Sequence, residues 1–384
     1  MSFFFKSPSK KETAQRSPIQ TPALFAGTAL LAFVALAGWQ QGPWSTAVVA
    51  HGILAVGALP LILATMLYFT PVLTRSSSPP GVLQALPLLA LVAGGMALLA
   101  VDHHPSLLVV AAPLALLVTI SLFGWMLRRA HRALGAPHPG LLWYQAALLS
   151  LLLGLAAILA TRWWPEQWAT LRTLHRHLNL LGFVGLTALG TLQVLLPTVG
   201  QYADPMASWR LRVDLKYALL GVVCMVSGAV FANPWLSGLG LLAWGWVAGR
   251  LLRPVGREWK RMVRMGGAEL SLLGALLGFL LALSSGLWQK GELFLPLFFA
   301  LFLLPLVSGA LAHLLPLWWW PGQPTPQRTA AQQILGSYAL LRLGGFWLGG
   351  GAILLGYAWG NYCVIVPVLA LLGQVGWLRG KRGA

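Results

Sequence analysis

The chain has little charge and almost no acid. Only 9% of its 384 residues are Asp, Glu, Lys or Arg, and eight of them are acidic. With 58% hydrophobic residues and a mean hydropathy of +0.74, that composition is not an ordinary soluble core; it describes a polytopic membrane protein. By sequence the acids (Glu12, Asp102, Glu166, Asp204, Asp214, Glu258, Glu269 and Glu292) fall in loops or at the ends of apolar runs. A carboxylate in mid-membrane is the usual mark of a proton relay or cation path. Its absence argues against a pump built on one. Cysteine is also scarce: Cys224 and Cys363 lie in separate apolar segments, which argues against a disulfide or a thiolate metal site. No interval between apolar runs is long enough for a soluble domain. Residues 1–21 are polar and basic (Lys6, Lys10, Lys11, Arg16) without a cleavage site after the first apolar run, so the first helix is expected to be retained.

What the chain has is apolar segments. Twelve are expected, at about 22–39, 47–70, 84–101, 105–127, 141–161, 177–198, 217–232, 235–250, 267–288, 293–316, 338–358 and 362–378. This gives a membrane domain over 22–378 between basic tails at 1–21 and 379–384. An interfacial helix is expected over 325–341, and a helical hairpin at Asn233-Pro234. A net charge of +18 in a soluble chain would suggest nucleic acid. Here its placement reads as topology, the partner being the lipid bilayer. Arg128, Arg129, Arg132, Arg210, Arg212, Lys216, the Arg250–Arg264 cluster and Arg379–Arg382 share one face with the N-terminal tail; the other face carries only Arg162, Arg172, Arg176 and Lys290. The positive-inside rule then places both termini in the cytoplasm of a bacterial inner membrane. The Trp-rich stretch Arg162–Arg176 reads as the longest outer loop.

Two spans carry one frame: His51, Leu54, Leu63, Thr65, Pro71 and His177, Leu180, Leu189, Thr191, Pro197. Twenty residues of helix cover roughly 30 Å, the hydrocarbon thickness, so each frame runs from one face of the membrane to the other. Pro316 ends a third span in a similar context, four spans on, with Pro296 in the histidine's place. The pattern suggests three repeats of four helices.

Histidine is the residue with chemistry to offer. Five of the eight (His51, His103, His104, His175 and His177) fall on the outer face, and neutral imidazole is the common ligand for haem iron, copper and zinc. His51 and His177 are the leading cofactor candidates, each at the edge of an apolar run; His175, His177, His103 and His104 are candidate metal ligands. His175 and His177 are two apart and would point about 200° from each other on one regular helix. Both reach one ion only if His175 precedes the helix. His131 and His138 read as solvated loop residues, and His313 as structural.

Twelve spans in three fours, with histidines entering spans 2 and 6 from outside, resemble subunit I of the haem-copper oxidases. The stretch His175-Arg176-His177-Leu178-Asn179-Leu180-Leu181-Gly182-Phe183 is similar to the NnrS family of haem- and copper-containing membrane proteins and to the membrane domains fused to some bacterial multicopper oxidases, and Ser308–Pro316 on span 10 is similar to the equivalent span of those domains. The resemblance implies haem b or copper, with His51 and His177 as matching ligand positions. It also implies a role in respiration, nitric-oxide response or metal handling, beside other membrane subunits or a periplasmic electron or copper carrier. Two departures argue against a stand-alone terminal oxidase: span 10 lacks its histidine pair, and span 7 has none. The alternatives are a cofactor-free subunit of a respiratory or copper-enzyme complex and a small-solute transporter.

Overall fold

The computed structural model describes residues 20–34, 44–265, 267–288 and 293–383. The basic tail before residue 20, with Lys6, Lys10, Lys11 and Arg16, and the segment holding Lys290 and Glu292 lie outside them. Among the described residues the chain is all helix. In order these are α1 (Gln20–Phe33), α2 (Thr46–Thr74), α3 (Gly81–Asp102), α4 (Pro105–His131), α5 (Gly140–Ala160), α6 (Pro165–Val199) and α7 (Ala207–Val230). There follow α8 (Pro234–Met265), α9 (Ala268–Trp288), α10 (Phe294–Trp319), α11 (Pro326–Ser337), α12 (Ala339–Leu354) and α13 (Gly360–Gly383). Nine of these (α2 to α7, α9, α10 and α13) are long and apolar enough to cross a membrane. The chain is therefore an all-α, multi-pass membrane protein. Of the rest, α1 and α12 are short, α8 is apolar in its first half and basic in its second, and α11 is the polar helix expected after Thr325.

The helices start where side chains satisfy their free N–H groups. Ser45 Oγ accepts from Val48 N–H before α2, Thr325 Oγ1 from Arg328 N–H before α11, and Asn233 Oδ1 from Trp235 and Leu236 N–H before α8, with Pro234 and Pro326 at the first helical positions. Within the apolar helices the hydroxyls of Thr65, Thr70, Thr74 and Thr119 turn back to carbonyls four residues earlier, so these four meet neither lipid nor core unsatisfied.

Packing follows a pattern that recurs three times. Consecutive helices pair as α1–α2, α5–α6 and α9–α10, then α2–α3, α6–α7 and α10–α12, then α3–α4, α7–α8 and α12–α13. The sets are joined by α2–α5, α6–α9 and α10–α1, and by α4–α5, α8–α9 and α13–α1. The last contact returns to the first helix, so the ring closes.

One helix of each set, α2, α6 and α10, shares a feature the sequence frame did not predict. Each contains a π stretch, over Gly52–Ala58, Leu178–Gly185 and Phe298–Leu303, beginning one or two residues after His51, His177 and Pro296. Two residues beyond each stretch stand Pro60, Thr187 and Pro305. A proline ring removes one N–H and crowds the carbonyl four back, and the Thr187 hydroxyl bonds the Phe183 carbonyl at 2.7 Å. Either disturbs the ordinary ladder, which a wider turn relieves. Neighbouring helices come in close at these turns: a Cβ on Gly94 would collide with the Ala55 carbonyl, and one on Gly278 with that of Leu301.

Three sequence expectations need correction. The sixth span begins at Pro165, not at His177, so the expected loop Arg162–Arg176 is mostly helix, with Trp163, Trp164 and Trp168 exposed. The seventh begins at Ala207, which puts Asp214 inside a membrane helix, fully buried, with Oδ1 2.6 Å from Arg250 Nε of α8. Asp214 is therefore helical and buried near the end of its span, not in a loop. His138 is half-buried, not solvated: its Nδ1 accepts from Gly140 N–H at 3.1 Å, while its backbone N–H donates to the Leu73 carbonyl. Finally, Arg342 is buried without a carboxylate. It donates to Ser308, Gln374 and the Leu335 carbonyl, tying α10, α11, α12 and α13 together. Leu335 lies in the last turn of α11, whose carbonyl end supplies partial negative charge.

Candidate metal site and the opposite cavity

α2 and α6 do meet at their histidine ends. The ring centres of His51 and His175 are 6.4 Å apart and their planes differ by 13°. The partner of His51 is thus His175, while His177 stands elsewhere on α6. The reason is helical phase. Both residues lie within the regular α-helical stretch Trp168–His177, where positions two apart face about 200° from each other. His175 is not in a preceding loop, so the condition for both to reach one ion is not met.

Each of the three imidazoles is held by the backbone through the same atom. His51 Nδ1 lies 2.8 Å from the Ala47 carbonyl, His177 Nδ1 2.9 Å from that of Thr173, and His175 Nδ1 3.0 Å from that of Gly154 on α5. A carbonyl oxygen only accepts, so in His51 and His177 Nδ1 carries the proton and donates, leaving the Nε2 lone pair available. That is the arrangement that orients a metal-binding histidine. The Asn179 amide nitrogen also lies 3.1 Å from His175 Nδ1, one turn along the same face; an NH2 group only donates, so it and the Gly154 carbonyl call for opposite tautomers of His175. Asn179 in turn packs against Gly154, where a Cβ would sit 3.1 Å from its Oδ1.

The ring-centre distance alone is of the size that a shared ion would need. Two imidazoles on opposite sides of one metal hold their ring centres roughly 6 Å apart, since each metal–nitrogen bond is about 2 Å and the ring centre lies about 1 Å behind the nitrogen. Haem iron and copper both accept imidazole pairs. His103 and His104 are placed differently, in an exposed turn where His103 Nε2 pairs with Asp102 at 3.2 Å. Among the described residues no group of three His, Cys, Asp or Glu side chains comes close enough to hold an ion.

At the other end of α2, α6 and α10 lies a cavity of about 410 Å³ lined by Thr198, Glu269, His313, Gln332 and Ser337 among others. A smaller one of about 170 Å³ shares Thr198 and His313 with it and reaches His138, Tyr144 and Thr191. Sequence reasoning missed Glu269, which is buried and accepts from Gly267 N–H at 2.7 Å.

No protein-family model matches this chain, and no curated protein matches it significantly.

Proposed function

We propose that the chain is an integral membrane metal protein built on an oxidase-like plan: twelve spans in three arcs of four, with both termini in the cytoplasm. At its outer end, in this reading, His51 and His175 hold one metal centre, haem iron or copper. The observation that carries it is the meeting of these rings from two separate helices, both presented with Nδ1 anchored. A histidine placed only to satisfy itself needs no second imidazole opposite. The ring of recurring contacts and the three π stretches support the three-arc plan. The basic residues gathered at the Pro71, Pro197 and Pro316 ends support the topology. The resemblance to NnrS-like proteins favours a role in respiration, nitric-oxide response or metal handling over oxygen reduction.

The test is the absorbance spectrum and metal content of protein purified from haem- and copper-replete cells. A Soret band or stoichiometric copper is expected. A colourless preparation free of copper would overturn the reading. The polar cavity at the basic end favours a second one, passage of a small polar solute. In that case a Glu269→Gln or His313→Ala variant would alter solute flux, and His51→Ala would leave no cofactor to lose.

A further inference from the structure

The outward faces of α7 and α8 change character at the same level. On α8 an exposed stripe runs Trp235, Leu239, Leu242, Trp246 and then Arg253 and Arg257. On antiparallel α7 it runs Val223, Leu220 and then Lys216 and Arg212. Contacts across the pair fix the register: Gly221 backs onto Trp244, the Tyr217 ring lies 6.0 Å from Trp246, and Asp214 pairs with Arg250. Both stripes therefore turn from apolar to basic between the Tyr217–Trp246 and Asp214–Arg250 levels. Acyl chains cover the apolar part, so the boundary between them marks the headgroup layer, where ring contacts such as Tyr217–Trp246 are at home.

The basic part keeps its charge outward. Of the nearby carboxylates, Asp214 is turned in against Arg250 and Asp204 against Arg210 at 2.6 Å, both nearly inaccessible. Glu258 is half-buried and within electrostatic reach of Tyr202. Arg212, Lys216, Arg253 and Arg257 are left facing the headgroup layer. Arginine presents a planar fork that matches phosphate oxygens in pairs, and lysine adds a mobile point charge.

We propose that this face of α7 and α8 binds an anionic phospholipid, its phosphate on Arg212, Lys216, Arg253 and Arg257 and its chains along Leu220, Leu242 and Trp246. The proposal is independent of the metal site. It is tested by native mass spectrometry of the full chain titrated with phosphatidylglycerol or phosphatidylcholine. Wild type is expected to retain phosphatidylglycerol at least about tenfold better. The triple variant Lys216→Gln, Arg253→Gln, Arg257→Gln loses that preference, and an equal charge loss elsewhere (Arg128→Gln, Arg132→Gln, Arg379→Gln) keeps it. If the triple variant does not fold, wild type still decides: the preference must weaken as salt rises to about 0.5 M. Equal retention of both lipids, an equal effect of the control variant, insensitivity to salt, or an acidic protein occupying the face would each overturn the proposal.

Discussion

α2 and α6 differ from α10 in what fills one shared frame. All three helices have the π stretch, the proline that ends the frame and the same kinds of neighbour. At the head of the stretch α2 and α6 bring imidazoles, whereas α10 brings phenyl rings. Phe298 and Phe302 lie 4.9 Å apart by ring centre and pack on Phe279, which in turn meets Trp244 at 5.3 Å. Phe298, Phe302, Phe279 and Trp244 are all fully buried. The frame is thus a backbone device that accepts either a polar, ligand-ready filling or a dry aromatic one. Architecture and chemistry are separable here, and the histidines have to be explained on their own account.

The largest effect is expected from removing the filling of the first kind. His51→Ala or His175→Ala should each lower bound haem or copper by at least tenfold, since even outer-shell partners give effects of roughly 10–100-fold. Phe298→Ala should leave metal content unchanged and instead cost about 3 kcal/mol of stability, read by denaturant titration in detergent. If Phe298→Ala also empties the site, the two fillings are not separable. The ion pair that anchors α7 to α8 comes next: Asp214→Asn strands Arg250 in a largely buried place and should cost about 3 kcal/mol in the same titration. Metal content should again be unmoved.

Gly154→Val probes the support of His175. The added side chain displaces Asn179, and the expected result is about a tenfold weaker metal affinity with the helix content intact. An unchanged affinity would show that Asn179 does not position the ring. The smallest effect belongs to the basic end. Burial first, then the charge of Arg212, holds the His138 imidazole below its ordinary value of 6.5. The unfolded chain therefore takes up the proton first as pH falls. The His138 contribution is complete above pH 6.5 and shrinks as pH drops through the lowered folded value. Thermal unfolding should show a slight loss over that range in wild type and none in His138→Gln.

Much of the architecture was legible in the sequence because membrane helices announce themselves by composition. The apolar segments, the hairpin at Asn233-Pro234, the polar helix after Thr325 and the histidine–proline frame could all be read from residue types. Helix starts were harder. Trp168–His177 is polar enough to pass for a loop, yet it is the first regular α-helical stretch of α6, and Ala207–Lys216 misled in the same way and hid Asp214. The π stretches left only a trace, in Pro60 and Pro305, because a change of hydrogen-bond register has no composition. The frame also favoured His177 over His175. It records where the backbone repeats, but the ring that reaches α2 is decided by helical phase. Asn179, four residues after His175 on the same face, was the available signal. Glu269 gave no hint, since its burial depends on how α9 meets α10 and α11.

The account rests on two imidazoles from different helices sharing one metal. The direct measurement is the metal-to-protein ratio, by elemental analysis and pyridine haemochrome, in wild type and in His51→Ala, His175→Ala and His177→Ala prepared side by side. The account predicts stoichiometric metal in wild type and His177→Ala, and its loss in both His51→Ala and His175→Ala. Metal retained in His175→Ala but lost in His177→Ala would contradict it.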